Sequence, residues 1–302
     1  VVAANAWMNS PAGFVWENGQ ASEIQPWVAM FNRAWPLQAA HMLTAAVQAT
    51  SFAAAGLHAF GLLHKGLKPG PAELHRAALR IILPFAVVSS LCQPILGDLS
   101  AKAIAVRQPE KLAAMEAHYH TASGAGLYVG GWVDEQAETV RLGVQIPYAL
   151  SFLAHGDPSA EVIGLDRFAR QDRPPVLITH LAFQVMVLLG TLLAGVSVVW
   201  LFARKFKRAW LDARWFMRLL SLLTPAGFLA LEAGWIVTEV GRQPWILYHV
   251  IRTKDAVTNV PGQSITFLAI GLLYAVLFVM TFLVLARIFA AEQAKSTLEA
   301  QL

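Results

Sequence analysis

The chain has 302 residues, of which 56% are hydrophobic and only 14% charged, and its mean hydropathy is +0.51. That composition excludes an ordinary soluble domain and points to a polytopic membrane protein. The net charge of +4 comes from basic residues at the ends of apolar runs rather than from a basic face, so nucleic acid is not an expected partner; the single cysteine, Cys92, excludes a disulfide framework and a Cys-x-x-Cys-His haem attachment.

The chain opens on "VVAANAWMNSPAGF", without an initiator Met. This reads as the last turns of a helix leaving a membrane and predicts a missing N-terminal part. Five later segments approach or exceed the roughly 20 apolar residues that cross a bilayer. They run Trp35–Leu63, Ala77–Leu96, Val176–Ala203, Phe216–Val240 and Ile265–Phe289. The predicted fold class is therefore all-α, a transmembrane helical bundle of about five spans. No repeat of 20–50 residues is present. Three regions are expected: 1–97 with two spans, a polar loop over 98–173, and 174–302 with three spans. Within the loop, "PEKLAAMEAHYH" predicts a short helix. "VQIPYALSFLAHG" is too short to span, so it is expected at the interface or re-entering.

Orientation follows from the positive loops, which stay cytoplasmic. Lys65, Lys68 and Arg76 lie in one of them; Arg204, Lys205, Lys207, Arg208 and Arg214 lie in another. The Asp98–Arg173 loop is then periplasmic, and the C-terminus is cytoplasmic.

Ionisable groups inside spans mark function by default, because burying them there is costly. His41 in "QAAHMLTAAVQATSFAAAG" is flanked by small residues that would let a flat cofactor such as haem approach; a histidine hydrogen-bonded to a neighbouring helix reads equally well from the residues. Met186, with Gly190 and Ala194 below it, lies beside a groove; it is a candidate thioether ligand or simple core filling. Glu232, Trp235 and Glu239 share one helical face in "LEAGWIVTEVGRQPW". Gly241 is expected to cap that helix, with Arg242 paired to Glu239 at its negative end. This leaves Glu232 unexplained. Lys111 and Glu116 stand about 140° apart on a helical wheel, so they either flank a ligand or belong to a solvated helix. His118, His120, His155 and His180 show no metal-ligand spacing.

Together these stretches resemble subunit I of cytochrome bd-type quinol oxidases. "NAWMNSPAGF", "AAHMLTAA", "GDLSAKAIAVRQPEKLAAMEAHYHT", "AFQVMVLLG" and "EAGWIVTEVGRQPW" occur in that family's order. The resemblance covers essentially the whole chain and equates it with spans five to nine of a nine-span subunit. It implies His41 and Met186 as axial ligands of haem b558, and Lys111 and Glu116 as quinol-oxidising residues. It further implies Glu239 as ligand to a high-spin haem, Trp235 between haems, Arg242 near propionates, and Glu232 in the same motif without a certain role. The implied cofactors are haem b558, high-spin haem b595 and haem d or a further haem b, with quinol as substrate. The implied partners are subunit II, the missing spans of subunit I, membrane lipid and, in some forms, a small single-span subunit. The implied reaction oxidises quinol at the periplasmic face of the bacterial inner membrane and reduces O2 to water. It builds a potential by vectorial proton chemistry without pumping.

Two departures stand out. The first four spans of the pattern are not in this sequence, so the chain alone cannot complete an oxygen site. Gln184 stands two before Met186, where the pattern has arginine, removing a positive charge near b558 and lowering its expected potential. The loop matches the short form. The alternative from another class is an ion-coupled transporter using Glu232 and Glu239, which would need no His/Met pair.

Overall fold

The computed structural model describes residues 1–64, 69–257 and 260–298. Lys65 and Lys68, which carry part of the orientation reading, lie outside the described residues. The chain divides into two compact units, Val1–Ala256 and Val257–Leu302.

In the first unit the helices are α1 (Val2–Asn9), α2 (Pro26–Met30), α3 (Trp35–Leu63), α4 (Pro69–Arg107), α5 (Pro109–Met115), α6 (Ala149–His155), α7 (Val176–Phe206), α8 (Arg214–Leu222) and α9 (Ala226–Val240). The second unit is α10 (Gln263–Leu298). Among the described residues, five helical stretches are long and apolar enough to cross a membrane: α3, α4, α7, the α8–α9 pair over Arg214–Val240, and Gln263–Val284 of α10. This is the polytopic helical architecture expected from the sequence.

Ten short strands among the described residues pair as antiparallel hairpins or ladders of two. They are β1 (Val15–Glu17) with β2 (Gln20–Ser22), β3 (Ala122–Ser123) with β8 (Glu161–Val162), β4 (Leu127–Val129) with β7 (Val144–Ile146), β5 (Trp132–Asp134) with β6 (Thr139–Arg141), and β9 (Trp245–Leu247) with β10 (Ile251–Arg252). The polar connection between α4 and α7 is therefore a folded cap. Its apolar piece is strand β7 followed by α6, whose Leu150 and Ala154 pack with Ala105, Leu112, Ala125 and Val162. One side of α6 is buried by those contacts, while Val144, Ile146, Tyr148 and Phe152 of the same piece are exposed.

Helices α3, α4, α7, α8 and α9 enclose one apolar core that includes Phe52, Leu79, Leu83, Leu193, Trp200, Phe216 and Leu220. Close helix approach depends on small residues, as it must where lipid offers no hydrophobic contrast. A Cβ added at Gly56 of α3 would lie 2.1 Å from Thr224 Oγ1, and one at Gly227 of α9 would lie 2.5 Å from Ala49 Cα. Gln48 Nε2 donates to Ser90 Oγ at 2.9 Å, joining α3 to α4 through a buried polar pair.

Two local readings change and one gains detail. Helix α4 continues to Arg107, past the expected end at Leu96 and through Pro84 and Pro94. The segment Asp98–Arg107 is thus helix, and its Ile104 and Ala105 pack beneath the cap against Leu112 and Leu150, while Leu99 is exposed. The fourth span is two helices, broken at Leu223–Pro225, since proline disfavours the helical conformation in the residue before it. Gly241 caps α9 as expected, in a right-handed conformation with φ −68°. Its small size serves another end: an added Cβ would lie 3.2 Å from both Cγ and Cε of Lys111.

Candidate functional site

The end of the bundle where α3 and α7 begin and α4 and α9 finish gathers buried polar groups. Helix α5 sits across this end with Glu110, Lys111 and Glu116 all at most 3% exposed. A solvated amphipathic helix is thereby ruled out for "PEKLAAMEAHYH".

Lys111 reaches into the bundle. Its Nζ donates to Asn9 Oδ1 at 3.0 Å, to Thr238 O at 3.2 Å and to Thr238 Oγ1 at 3.4 Å. Gln108 Nε2 also donates to Asn9 Oδ1, at 3.2 Å. Asn5 and Arg242 both donate to the Glu239 carboxylate, and Thr238 Oγ1 donates to Asn5 Oδ1 at 3.1 Å. One polar cluster thus ties α1, α5 and the last turn of α9. Burial holds the Lys111 ammonium far down, at about 7; the positive charge of Arg242 adds to this, and Glu239 and Glu110 oppose it.

Glu110, which the sequence did not single out, anchors the other side. Its Oε1 accepts from Tyr248 Oη at 2.6 Å and lies 3.0 Å from His249 Nε2. Glu110 therefore fixes the hairpin after α9 to the cap.

Glu116 behaves differently. The amide of His118 donates to Ala113 O at 2.8 Å and that of Ala117 to Ala114 O at 3.3 Å, with Ala117 left-handed at φ 48°. This doubled closure ends α5 and turns the Glu116 side chain inward. Both of its carboxyl oxygens are buried without a hydrogen-bond partner among the described residues. Burial alone raises its carboxyl to about 8, so the neutral acid dominates at pH 7. Lys111 and Glu116 share no hydrogen-bond partner.

On the spans, His41 is partly buried, its Cε1 faces Gly97 of α4, and its Nδ1 is buried and unpartnered. Met186 Sδ faces Gly234 of α9, 3.2 Å from where a Cβ would stand, while Gly190 below it meets open space. Of the small residues near His41, Ala49 is used for packing against Gly227. Trp235 is partly buried, and Glu232 is exposed with no hydrogen-bond partner among the described residues. Arg242 is 3% exposed, pairs with Glu239, and keeps Nε and one terminal nitrogen unpartnered. The donor set suits haem: an imidazole free of hydrogen bonds, a thioether beside a glycine, a carboxylate, and a buried guanidinium with spare N–H groups for a carboxylate-bearing ring.

Gln184 has a structural use. Its Oε1 accepts from the Gly130 amide at 3.0 Å, and its Nε2 donates to Tyr128 O at 2.9 Å. It pins the β4 turn onto α7. No periodicity marks Asn5, Asn9, Thr238 or Gln184, although the i, i+4 pair of asparagines on an apolar helix was a readable signal.

The described residues thus form a multi-span helical bundle whose spans carry unpartnered ligand-type side chains, closed at one end by a cap with a buried acid. The cytochrome bd terminal oxidase subunit I family model matches residues 1–293, and the chain belongs to that family. It is 34% identical over 277 residues to a Bacillus subtilis (strain 168) protein provisionally named a cytochrome bd menaquinol oxidase subunit I, covering 92% of this chain and 62% of that one. It is 28% identical over 292 residues to the Bacillus subtilis (strain 168) cytochrome bd ubiquinol oxidase subunit 1, covering 92% of this chain and 61% of that one. The solved bd oxidase from Geobacillus thermodenitrificans superimposes with a TM-score of 0.85 at 39% identity, over 95% of this chain and 65% of that one. The chain thus spans somewhat under two thirds of the length of these relatives.

Proposed function

We propose that this chain supplies the quinol-oxidising, low-spin haem half of a terminal quinol:O2 oxidoreductase in a bacterial inner membrane. The observation that carries the reading is Glu116: a wholly buried carboxyl with two unpartnered oxygens, in a chain of the bd subunit I family. Buried polar groups without partners are rare in folded proteins and mark places where a ligand or water completes the bonding.

In this reading the cap faces the periplasm and the C-terminus the cytoplasm. A quinol hydroxyl meets Glu116, whose neutral carboxyl can both donate and accept a hydrogen bond. Lys111, held by three oxygens, keeps α5 seated so that Glu116 is presented in one orientation. His41 and Met186 would hold haem b558. Glu239 would hold a high-spin haem, b595 or its neighbour, with Trp235 beside it and Arg242 facing its propionates. The bound haems supply one-electron chemistry. Glu232, exposed on the same helix, is directed to a face that protein or cofactor must cover, since an ionisable group is not stable against lipid there. Further spans of the longer family subunit, subunit II and a small single-span subunit are the candidates for that face. Quinol protons leave to the periplasm and protons for water come from the cytoplasm, so a potential forms without pumping.

The test is Glu116→Ala in the complete complex. Quinol oxidation is lost while all haem spectra persist. Normal turnover with quinol would refute the assignment.

A further inference from the structure

Two arginines share a cavity at the end of the bundle that carries the cap. The cavity has a volume of about 440 Å3 and lies between the end of α1, α2, the end of α4 and the turn after β9. That is within the range of about 300–1,000 Å3 that takes a small organic group. Arg33 and Arg107 form its cationic side, and Pro11, Val28 and Phe31 its apolar side. Arg107 Nη2 donates to Arg33 O at 3.3 Å, which joins the two residues across 74 positions of chain. Among the described residues neither guanidinium has a carboxylate partner, and no acid lines the cavity. Glu110, behind Tyr248, is already held by that hydroxyl and lies against His249.

The level of the cavity in the membrane follows from α3. This helix has 29 residues, about 43 Å at 1.5 Å per residue, which matches a bilayer with its headgroups. Its first residue, Trp35, therefore stands in the headgroup layer, and Arg33 stands there with it. Around the cavity mouth Ile24, Trp27, Val28, Met30 and Phe31 are all exposed. The Phe31 ring stacks on Trp27 and meets Trp35 edge-on, with centroids 6.0 and 4.9 Å apart. Exposed aromatic rings at this level anchor a chain in the interface.

We propose that this cavity binds the headgroup of an anionic phospholipid from the leaflet on the cap side. Guanidinium groups match phosphate oxygens in a two-pronged geometry, so Arg33 and Arg107 take the phosphate. The wall of Pro11, Val28 and Phe31 takes the glycerol and the first acyl carbons. A headgroup that carries an ammonium finds no counter-charge there, because no acid lines the site. The site therefore selects a phosphatidylglycerol-type lipid over a zwitterionic one. Asn9 and Tyr248 also line the cavity, and both hold α5, through Lys111 and Glu110. The bound lipid thus lies against the anchors of the cap. The inference does not rest on the reading of Glu116.

The test uses the complete complex in phosphatidylcholine vesicles that carry a small share of phosphatidylglycerol with a photoreactive group in its headgroup region. After illumination the labelled peptides are mapped. Wild type is expected to be labelled within residues 9–33, which line the cavity. The double variant Arg33→Gln, Arg107→Gln is expected to be labelled about tenfold less, the factor that loss of a charged hydrogen bond removes. Arg141→Gln, which breaks an exposed pair with Asp134 on the cap, is the control and keeps the label. Added phosphatidylglycerol is expected to compete, whereas added phosphatidylcholine, inorganic phosphate and a soluble quinol do not. Equal labelling of wild type and the double variant, or equal competition by phosphatidylcholine, would overturn the proposal. Competition by inorganic phosphate as strong as that by the lipid would make this a free-anion site, and competition by the quinol would give the cavity to that substrate; either result overturns it too. If the double variant fails to assemble, Arg33→Gln is read alone, because the Arg33 side chain holds no other group among the described residues. Undiminished labelling in that variant has the same meaning.

Discussion

The buried acid makes the stability of the cap depend on pH, in a direction opposite to that of a salt-bridged carboxylate. The Glu116 carboxyl is raised from its ordinary 4.5 to about 8 by burial. Between these values the closed cap keeps its proton while the opened cap, with Glu116 in water, has released it. The closed form therefore has its full stability below pH 4.5 and loses it progressively up to pH 8. At about 1.4 kcal/mol per pH unit, the whole interval corresponds to about 5 kcal/mol, a ceiling reached only if opening hydrates the carboxyl completely. Glu116→Gln removes the titration and keeps the shape. The assay is hydrogen exchange of backbone amides over residues 109–120, comparing the complex with its Gln variant at matched pH so that intrinsic exchange cancels. The ratio of opening in wild type to opening in Glu116→Gln is expected to grow by up to about tenfold per pH unit from pH 5 to 8 and then level off. A ratio that stays constant across this range would show that the carboxyl is hydrated or paired in the closed cap, and would refute the reasoning.

Other expectations concern the spans and the polar cluster. His41→Ala abolishes the low-spin b signal, and Met186→Leu leaves a five-coordinate or strongly shifted haem; unchanged spectra in both would remove the b558 assignment. Glu239→Ala perturbs a high-spin haem, read by haem content and CO-binding spectra, while b558 stays intact. Glu239→Gln retains less activity than a surface Glu→Gln control. Gly56→Val places its Cβ into Thr224, 2.1 Å away, and destabilises the α3–α8/α9 contact by about 1–3 kcal/mol or more, seen as a lower melting temperature of the complex. Gln184→Ala frees the Gly130 amide and Tyr128 carbonyl, and raises hydrogen exchange in the β4–β7 ladder with little change in α7.

The spans were legible because an unbroken run of about 20 apolar residues suits little besides a bilayer. The motif around Trp235 and Glu239 was legible because acids inside such a run must be used. The end of α4 was not, since Asp98 and Lys102 looked like loop charges; they form an i, i+4 pair at 2.6 Å on the helix surface. Glu110 was not singled out, because its partners Tyr248 and His249 lie 138 and 139 positions further along the chain. His180 shows no metal-ligand spacing, and its Nδ1 lies instead 2.8 Å from the backbone carbonyl of Met115, a partner that no side-chain spacing can reveal. Gln184 read as a lost charge, whereas both ends of its amide are taken up by the cap.

The three oxygens around Lys111 have a consequence for the order of assembly. Asn9 is 102 positions earlier in the chain and Thr238 is 127 later. While the polypeptide emerges, α5 can meet its first partner early, but its second does not exist until α9 has been made. The anchors of Glu110 on Tyr248 and His249 come later still. Until then the buried ammonium and carboxylate have too few partners to leave water. The cap therefore locks last, as a latch closed by the end of α9, and a nascent chain halted before Thr238 is expected to carry an α4–α7 connection that proteases cut readily.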